Sequence, residues 1–216
     1  MNLYIYGSGG NGCELCDIAE RINHQKECWE NIFFVDDIRK ERDWYGRKVY
    51  RFNEMLSEDN CYECVISLGE PLHRLSLYEK LVTNNVSIAT LIDPSAEISP
   101  SASIDQGCIV GSRSFISSNS RIKENTMLEV NTIIGHDISI GKHSVISSCT
   151  VIGGATDIGD ETFIGLNCTV KDKLKIGDRC VIGMGSSVFK DIQDGYIALG
   201  NPARPIKKNE KRQVFK

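Results

Sequence analysis

One of the four histidines in this chain of 216 residues, His136, is followed directly by a carboxylate, Asp137. A carboxylate beside an imidazole orients the ring and makes it more basic, which suits a general base. A polar surface corner would show the same two residue types, so their spacing leaves both interpretations open. His24 and His73, in the last and first turns of predicted helices, are expected to be solvated.

A glycine-rich segment near the N-terminus is the second candidate for chemistry. Gly7, Gly9 and Gly12 have the G-x-G-x-x-G spacing, between a predicted strand and a predicted helix. Backbone amides of such a loop, together with the helix N-terminus, can hold a phosphate group. Asp36 and Asp37 end the next predicted strand, where a carboxylate can bind a ribose or a base, although a solvated strand end would look the same.

Residues 1–91, which must position this loop, alternate between strand and helix patterns. Strands are predicted at 2–6, 31–35, 64–68 and 86–91, and helices at 13–24 and 71–81, with a charged loop between the second and third strands. This alternation predicts a parallel, Rossmann-like α/β domain. A domain of this length is at most half of a dinucleotide-binding fold, which argues against a dehydrogenase.

From Ile92 to Val188 an aliphatic residue occupies every sixth position, through 17 consecutive repeats without a change of phase. A period of six fits neither a helix nor a hairpin and is typical of a hexapeptide β-helix. At 18 residues per triangular coil, residues 92–193 would form between five and six coils, followed by a tail at 194–216. His136 and His143 fall at bends of adjacent repeats, so both side chains are expected to point away from the prism.

Composition limits the remaining classes of function. The net charge of −4 does not suggest a general nucleic-acid or membrane-surface binder, because both need a basic excess. No stretch is apolar enough to span a membrane and no signal-peptide features are present, so we expect a cytoplasmic protein. The nine cysteines include two CxxC pairs with the spacing of zinc half-sites, but their positions in a helix and beside a strand favour ordinary packing, and no metal site is predicted.

The segment 131–141, N-T-I-I-G-H-D-I-S-I-G, resembles the active-site stretch of sugar acetyltransferases of the NeuD/PglD type. The similarity covers nearly the whole chain, from the glycine loop to the basic tail. It implies a left-handed β-helix, a homotrimer with active sites between subunits, and acetyl-CoA as cosubstrate. It also implies that His136 is the general base, that Asp137 supports it where relatives often carry Glu, and that Asn131 lies near the acceptor group.

The same resemblance assigns the two substrates to separate sets of residues. A nucleotide sugar is expected at the N-terminal loop, and the residues implied are Gly9, Gly10, Asn11, Asp36, Asp37 and Gly69. Relatives usually carry His where this chain has Asn11. Acetyl-CoA is expected along the coil and the G-x-P-A-[KR] motif of the tail, at Val145, Gly165, Leu166, Gly183, Met184, Asn201, Pro202 and Arg204. Some members place a histidine at the position of Val145.

Together these features predict an acetyl-CoA-dependent N-acetyltransferase that acts on a nucleotide-linked amino sugar of the UDP-4-amino-4,6-dideoxy type, in bacterial surface-glycan biosynthesis. Direct transfer is expected, because no cysteine has a histidine beside it to make a covalent nucleophile. The alternative is an O-acetyltransferase that acts on a sialic acid or another polysaccharide sugar. A non-catalytic scaffold is disfavoured by the His136–Asp137 pair, and a zinc-dependent hydratase would need three histidines where the coil has two.

Overall fold

The computed structural model describes residues 1–58 and 61–215, which form a small α/β domain packed against one side of a long β-coil. The strands of the α/β domain are β1 Asn2–Tyr6, β2 Asn31–Val35, β3 Asp43–Trp44, β4 Arg47–Tyr50, β5 Tyr62–Ile66 and β6 Ser87–Ile88, and its helices are α1 Gly10–Lys26, α2 Phe52–Leu56 and α3 Pro71–Thr83. The strand order is β3-β4-β2-β1-β5-β6. All pairs are parallel except the β3-β4 hairpin, which confirms the Rossmann-like prediction.

Three local predictions for this domain need correction. The charged loop after β2 contains the β3-β4 hairpin and the short helix α2. Its tight turn has both central residues, Tyr45 and Gly46, at positive φ, the backbone that a type I′ hairpin turn requires. The strand predicted at 64–68 begins two residues earlier, as β5. The strand predicted at 86–91 is instead two short strands, β6 and β7 Leu91–Ile92, which belong to different sheets.

The coil consists of seventeen two-residue strands, each ending on an aliphatic residue of the repeat. After β7 they are β8 Glu97–Ile98, β9 Ser103–Ile104, β10 Ile109–Val110, β11 Phe115–Ile116, β12 Arg121–Ile122, β13 Met127–Leu128, β14 Ile133–Ile134, β15 Ser139–Ile140, β16 Val145–Ile146, β17 Val151–Ile152, β18 Asp157–Ile158, β19 Phe163–Ile164, β20 Thr169–Val170, β21 Lys175–Ile176, β22 Val181–Ile182 and β23 Ser187–Val188. Parallel pairing in steps of 18 residues arranges them in three sheets. The predicted five to six coils are confirmed.

We call these sheets face 1 (β7, β10, β13, β16, β19, β22), face 2 (β8, β11, β14, β17, β20, β23) and face 3 (β9, β12, β15, β18, β21). The first corner joins face 1 to face 2, the second corner joins face 2 to face 3, and the third corner returns to face 1. The second residue of each strand points inward, and these side chains form one apolar column. The first residue points outward, as alternation along a strand requires.

From residue 107 to residue 185, each corner turns through one residue with left-handed backbone, three positions after the aliphatic residue. Asn119, Asn125, Asn131 and Asp137 occupy four such positions, with φ between 54° and 57°. Asn and Asp tolerate this conformation better than other residues with a side chain, so the corners explain their regular spacing. The next residue is usually small and buried, and where it carries a hydroxyl this commonly donates to a backbone carbonyl of the following coil, as Thr126 Oγ1 does to Gly141 O at 2.6 Å.

The α/β domain covers face 1 and the third corner. Outward side chains of face 1, including Ile109 and Met127, join the same apolar cluster as Leu15 and Ile18 of α1. Arg74 of α3 is completely buried at this contact. Its guanidinium donates to the carbonyl oxygens of Ile66, Leu68 and Asn125 and to Asn125 Oδ1, at 2.7 to 3.0 Å. The three bonds to Asn125 join the domain to the coil, and the other two hold Arg74 within the domain.

The C-terminal tail extends face 1 beyond the last coil. Strand β24, Tyr196–Gly200, pairs in parallel with β22, and β25, Ala203–Lys208, folds back on it as an antiparallel hairpin. The chain then returns towards the α/β domain, where the backbone amides of Val214 and Phe215 donate to the carboxylate of Glu70. Among the described residues, no helix is both long enough and apolar enough to cross a membrane.

Candidate active site

His136 and Asp137 lie at the second corner, directly after β14. Asp137 is the left-handed corner residue, and both side chains are more than half exposed. Nδ1 of His136 is 2.7 Å from Oδ2 of Asp137. Because an ionised carboxylate can only accept, a neutral imidazole in this arrangement carries its proton on Nδ1 and its lone pair on Nε2. The arrangement therefore offers a solvent-facing base whose tautomer is set by the neighbouring acid.

Two residues one coil away complete the surroundings of this dyad, and neither was predicted from the sequence. Asn119, 18 residues before Asp137, donates its Nδ2 to Oδ1 of Asp137 at 3.1 Å. Gly154, 18 residues after His136, lies against the imidazole ring. Hydrogen bonds from His136 and Asn119 hold the pKa of the Asp137 carboxyl below its usual value, so it stays ionised. The 18-residue period of the coil is the signal that could have located both residues.

Asn131 lies at the first corner, at the opposite end of the same face-2 strand from His136. Its side-chain amide is 3.7 Å from Sγ of Cys149, the corner residue of the next coil. Within one chain, the width of face 2 separates Asn131 from the dyad. The two can meet only if a second copy of the chain brings its first corner to this chain's second corner.

Four of the residues assigned to acetyl-CoA follow Asn131 along the first corner. Gly165 and Leu166 lie two coils above it, and Gly183 and Met184 lie three coils above. The side chains of Leu166 and Met184 are exposed, so they form an unpaired apolar edge. A Cβ on Gly165 would be 2.7 Å from the backbone nitrogen of Met184, so the close stacking of coils requires glycine there.

The tail residues assigned to acetyl-CoA belong to the hairpin beyond this corner. Asn201 and Pro202 form the exposed turn between β24 and β25, and Arg204 is exposed on β25. The backbone amide of Gly200 donates to Ser186 Oγ at 3.0 Å, which attaches the hairpin next to the first corner. The structure therefore brings together a continuous row of candidate cofactor contacts, remote from the dyad of the same chain.

Val145 is a correction to the predicted cofactor contacts. It is the outward residue of β16 on face 1, and the α/β domain buries it completely. It packs in the apolar cluster that joins the two regions of the chain, so no cofactor can reach it. Some relatives carry a histidine at the position of Val145, but that resemblance could not reveal its burial. In the sequence repeat, the outward positions of face 1 are indistinguishable from those of the other two faces.

The glycine loop is shaped by close backbone contact on one side and open space on the other. Gly7 has a φ of +108°, and a Cβ on Gly12 would collide with the carbonyl of Gly7. Gly9 and Gly10 have no neighbouring atom within 4 Å of where a Cβ would lie. Helix α1 starts at Gly10 without a side-chain cap. Its first amides therefore face open space and can receive a phosphate group. The Asn11 amide lies beside Gly69, on the far side of the loop.

Asp36 is already fully engaged inside the domain. Its Oδ2 accepts from the backbone and hydroxyl of Ser8, and its Oδ1 accepts from the backbone amides of Ile38 and Arg39. Burial alone would raise the pKa of this carboxyl, but these hydrogen bonds outweigh it and lower the pKa. With four acceptor positions used, Asp36 holds the glycine loop against the end of β2 and has no lone pair left for a nucleotide.

Asp37 retains one acceptor position. Its Oδ2 accepts from Tyr6 and from Lys80 of α3, and its Oδ1 accepts from the backbone of Phe52, at 2.6 to 3.2 Å. Burial alone would raise the pKa of Asp37, but these donors outweigh it, so the pKa lies below its usual value. These partners could not be found from the sequence, because Lys80 and Tyr6 lie 43 and 31 residues away along the chain.

His143 takes no part in the exposed site. Its side chain leaves the prism at the third corner, as predicted, but helix α3 covers it. Its Nδ1 is 2.9 Å from Nδ2 of Asn125, and its ring meets Tyr78 edge to face at 5.1 Å. Burial lowers its pKa, and the nearby Arg74 lowers it further, so His143 is neutral. No cluster of metal-ligating side chains is present in residues 1–58 and 61–215.

Comparison with known proteins agrees with this architecture. The family model of the PglD N-terminal domain matches residues 2–81, and that of the GMPPB C-terminal domain matches residues 82–184. The acetyltransferase domain of PglB from Neisseria gonorrhoeae is 26% identical, with a TM-score of 0.88 over 95% of this chain and 99% of that chain. Two further structures share the fold at 22% identity and a TM-score of 0.88. PerB from Caulobacter crescentus matches over 96% of this chain and 98% of its own. WeeI from Acinetobacter baumannii matches over 95% of this chain and 100% of its own. The chain is similar to the sugar acetyltransferases of the NeuD/PglD type, both in its PglD-like N-terminal domain and in the β-helix that follows it.

Proposed function

We propose that this enzyme transfers the acetyl group of acetyl-CoA to the amine of a nucleotide-linked amino sugar, with His136 as general base. The observation that carries the proposal is the exposed imidazole whose Nδ1 is held by Asp137 and whose Nε2 is open. In the proposed division of the chain, residues 1–91 bind the nucleotide, residues 92–193 carry out transfer, and residues 194–216 contact the cofactor. Because both substrates are cytoplasmic metabolites, we propose the cytoplasm as the place of action.

The proposed reaction is a direct transfer. The sugar amine attacks the thioester carbonyl, Nε2 of His136 takes the proton that the amine loses, and the bond to sulfur breaks as the CoA thiolate leaves and is protonated. A cysteine-bound intermediate is disfavoured. Burial raises the pKa of Cys108, Cys168 and Cys180, and the exposed Cys149 faces an asparagine amide in place of a histidine.

The site requires a second copy of the chain, and a trimer provides it. The dyad lies at the second corner, whereas Asn131 and the apolar edge formed by Leu166 and Met184 lie at the first. Face 2, which runs between these corners, exposes three apolar side chains in register on successive coils, from Phe115, Ile133 and Val151. Burying this stripe against a neighbour would bring the first corner of one subunit to the dyad of the next, which supports a cyclic homotrimer.

The acyl acceptor is proposed from the glycine loop and the open lone pair of Asp37. The loop suits a diphosphate, and a carboxylate at this edge suits a base that donates an N–H, as both uracil and guanine do. PglB from N. gonorrhoeae has been determined with acetyl-CoA, and PerB from C. crescentus with CoA and GDP-perosamine. We therefore propose a nucleoside diphosphate amino sugar, with the UDP-4-amino-4,6-dideoxy type as the first substrate to test.

A panel of sugar nucleotides tests this function. UDP- and GDP-linked sugars with and without a free amine are incubated with acetyl-CoA, and thiol release and product mass are measured. An increase of one acetyl group only on amino sugars supports N-acetylation, and His136→Ala should lower kcat by at least ~10²-fold. Near-normal turnover in that variant would reject His136 as the base.

O-acetylation of a sialic acid or another sugar hydroxyl is the second candidate. One observation favours it: the loop side chain beside Gly69 is the neutral Asn11, which can hydrogen-bond a sugar oxygen but provides no positive charge for a phosphate. The same dyad would then deprotonate a hydroxyl. Acetylation of amine-free sugars in the panel, with no product from amino sugars, would select this function.

A further inference from the structure

Glycine occupies the position directly above the dyad and at no equivalent position elsewhere in the coil. In 17 repeats, the residue two places after the aliphatic residue is glycine only once, at Gly154. The residue of the same corner one coil earlier is His136. Glycines that follow the aliphatic residue directly are common in this sequence, so they belong to the repeat, whereas Gly154 does not.

The contact between these two residues is side chain against backbone. A Cβ built on Gly154 would be 2.6 Å from Nε2, 2.8 Å from Cε1 and 3.0 Å from Cδ2 of His136. Real Cβ atoms do not approach other heavy atoms this closely, so any larger residue would displace the ring. The φ of Gly154 is not among the positive values of the chain, so its backbone conformation is one that alanine also adopts.

We infer that Gly154 is a positioning residue for the reaction: the missing side chain leaves the space in which the His136 ring lies flat on the coil with Nδ1 on Asp137. The ring is held on two sides, by the Asp137 carboxylate at 2.7 Å and by the backbone of Gly154. This confinement keeps Nε2 at one place relative to the corner. A side chain at 154 would push the ring into solvent and break its bond to Asp137.

The neighbouring glycine provides a matched comparison. A Cβ on Gly153 would meet backbone atoms of the next coil, with the nitrogen of Asp172 at 2.5 Å, so alanine there must move the coil itself. The three atoms nearest to a Cβ on Gly154 all belong to the exposed imidazole of His136, a side chain that can move without moving the coil. Gly153→Ala should therefore lower the melting temperature, whereas Gly154→Ala should lower kcat.

The inference rests on His136 being the base, and a double-mutant cycle tests the two claims separately. Gly154→Ala, His136→Ala and the double variant are compared for kcat with the substrate that the panel identifies, for CoA binding and for melting temperature, with Gly153→Ala as the comparison for stability. Gly154→Ala is expected to lower kcat by about 10²-fold, the scale of a displacement of about 1 Å, and to keep CoA affinity and melting temperature. In the His136→Ala background it should cause no further loss.

Three results would overturn the inference. They are turnover of Gly154→Ala within about twofold of the wild type, a further loss in the double variant as large as in the single variant, or a fall in melting temperature as large as that of Gly153→Ala. If His136→Ala itself retains normal turnover, the proposed function fails instead, so the two failures are distinguishable.

Discussion

Replacing Arg74 by methionine should weaken the contact between the α/β domain and the coil and lower the free energy of unfolding. Methionine fills much of the space of the arginine stem but removes five hydrogen bonds, four of which run to backbone carbonyl oxygens. Leu68 and Asn125 would lose the guanidinium that their carbonyls now share. Leu68 directly precedes the Gly69 turn of the proposed nucleotide site, so binding of the sugar nucleotide should weaken together with stability.

The size of the effect follows from two opposing contributions. Hydrogen bonds from a charged donor contribute about 1.5–3 kcal/mol each, so five would give roughly 7–15 kcal/mol. Against this, burying a guanidinium costs several kcal/mol, and Arg74 forms no ion pair among the described residues. Its completely buried position lowers its pKa to about 10, which reflects this cost. A net loss of about 3–5 kcal/mol remains, the usual range when one partner of a buried charged network is removed.

Thermal and urea unfolding at fixed protein concentration would measure this loss. At about 2–4 °C per kcal/mol for a chain of this size, the melting temperature should fall by roughly 6–20 °C. Arg42→Met is the matched control, because the Arg42–Glu54 pair is about half exposed and should contribute less than about 1 kcal/mol. A fall in the Arg74 variant no larger than in the control, with unchanged substrate affinity, would refute the idea that Arg74 holds the domains together.

Two further predictions concern the histidines and their partners. Asp137→Asn keeps the shape of the acid but removes its charge, so kcat should fall roughly tenfold, less than on loss of the base itself, and steady-state kinetics with unchanged CoA affinity would verify this. Because burial lowers the pKa of His143, the unfolded chain binds a proton below a pH of about 6.5 that the folded chain resists, and stability should fall as pH drops from 7 towards 5. His143→Gln cannot titrate, so its melting temperature should depend less on pH over that range; an identical pH dependence in both proteins would contradict the assignment.

The coil could be predicted from the sequence almost completely because its information is local. Within each repeat, the aliphatic residue marks the inward position and the small residues mark the bend. A shift of one residue would expose the whole apolar column, so the phase of the repeat is unambiguous. The same regularity located His136 and Asp137 at an outward corner. The α/β domain was harder to predict from the sequence, because the β3-β4 hairpin depends on a two-residue turn within a charged segment that has no apolar periodicity.

The remaining errors come from contacts between distant parts of the chain. Val145 and His143 look outward in the repeat, and only docking of the α/β domain, through Arg74 and α1, determines that they are covered. Asp36 looks like a base-binding carboxylate, but Ser8 and the loop after β2 use its oxygens. The partner of a polar side chain depends on the tertiary fold, which brings distant residues together, so sequence patterns do not reveal it.

The 18-residue coil also makes the geometry of this enzyme adjustable in fixed steps. Removing or inserting 18 residues in the coil would move everything beyond that point by about 4.8 Å along the axis and leave every corner facing the same direction. Six residues would instead turn the dyad by one third of a revolution, to the next corner of the prism. The distance between the proposed nucleotide site on the α/β domain and the proposed transfer site at the second corner can therefore change only in steps of one coil, and insertion or deletion of whole coils would adapt this scaffold to longer or shorter substrates.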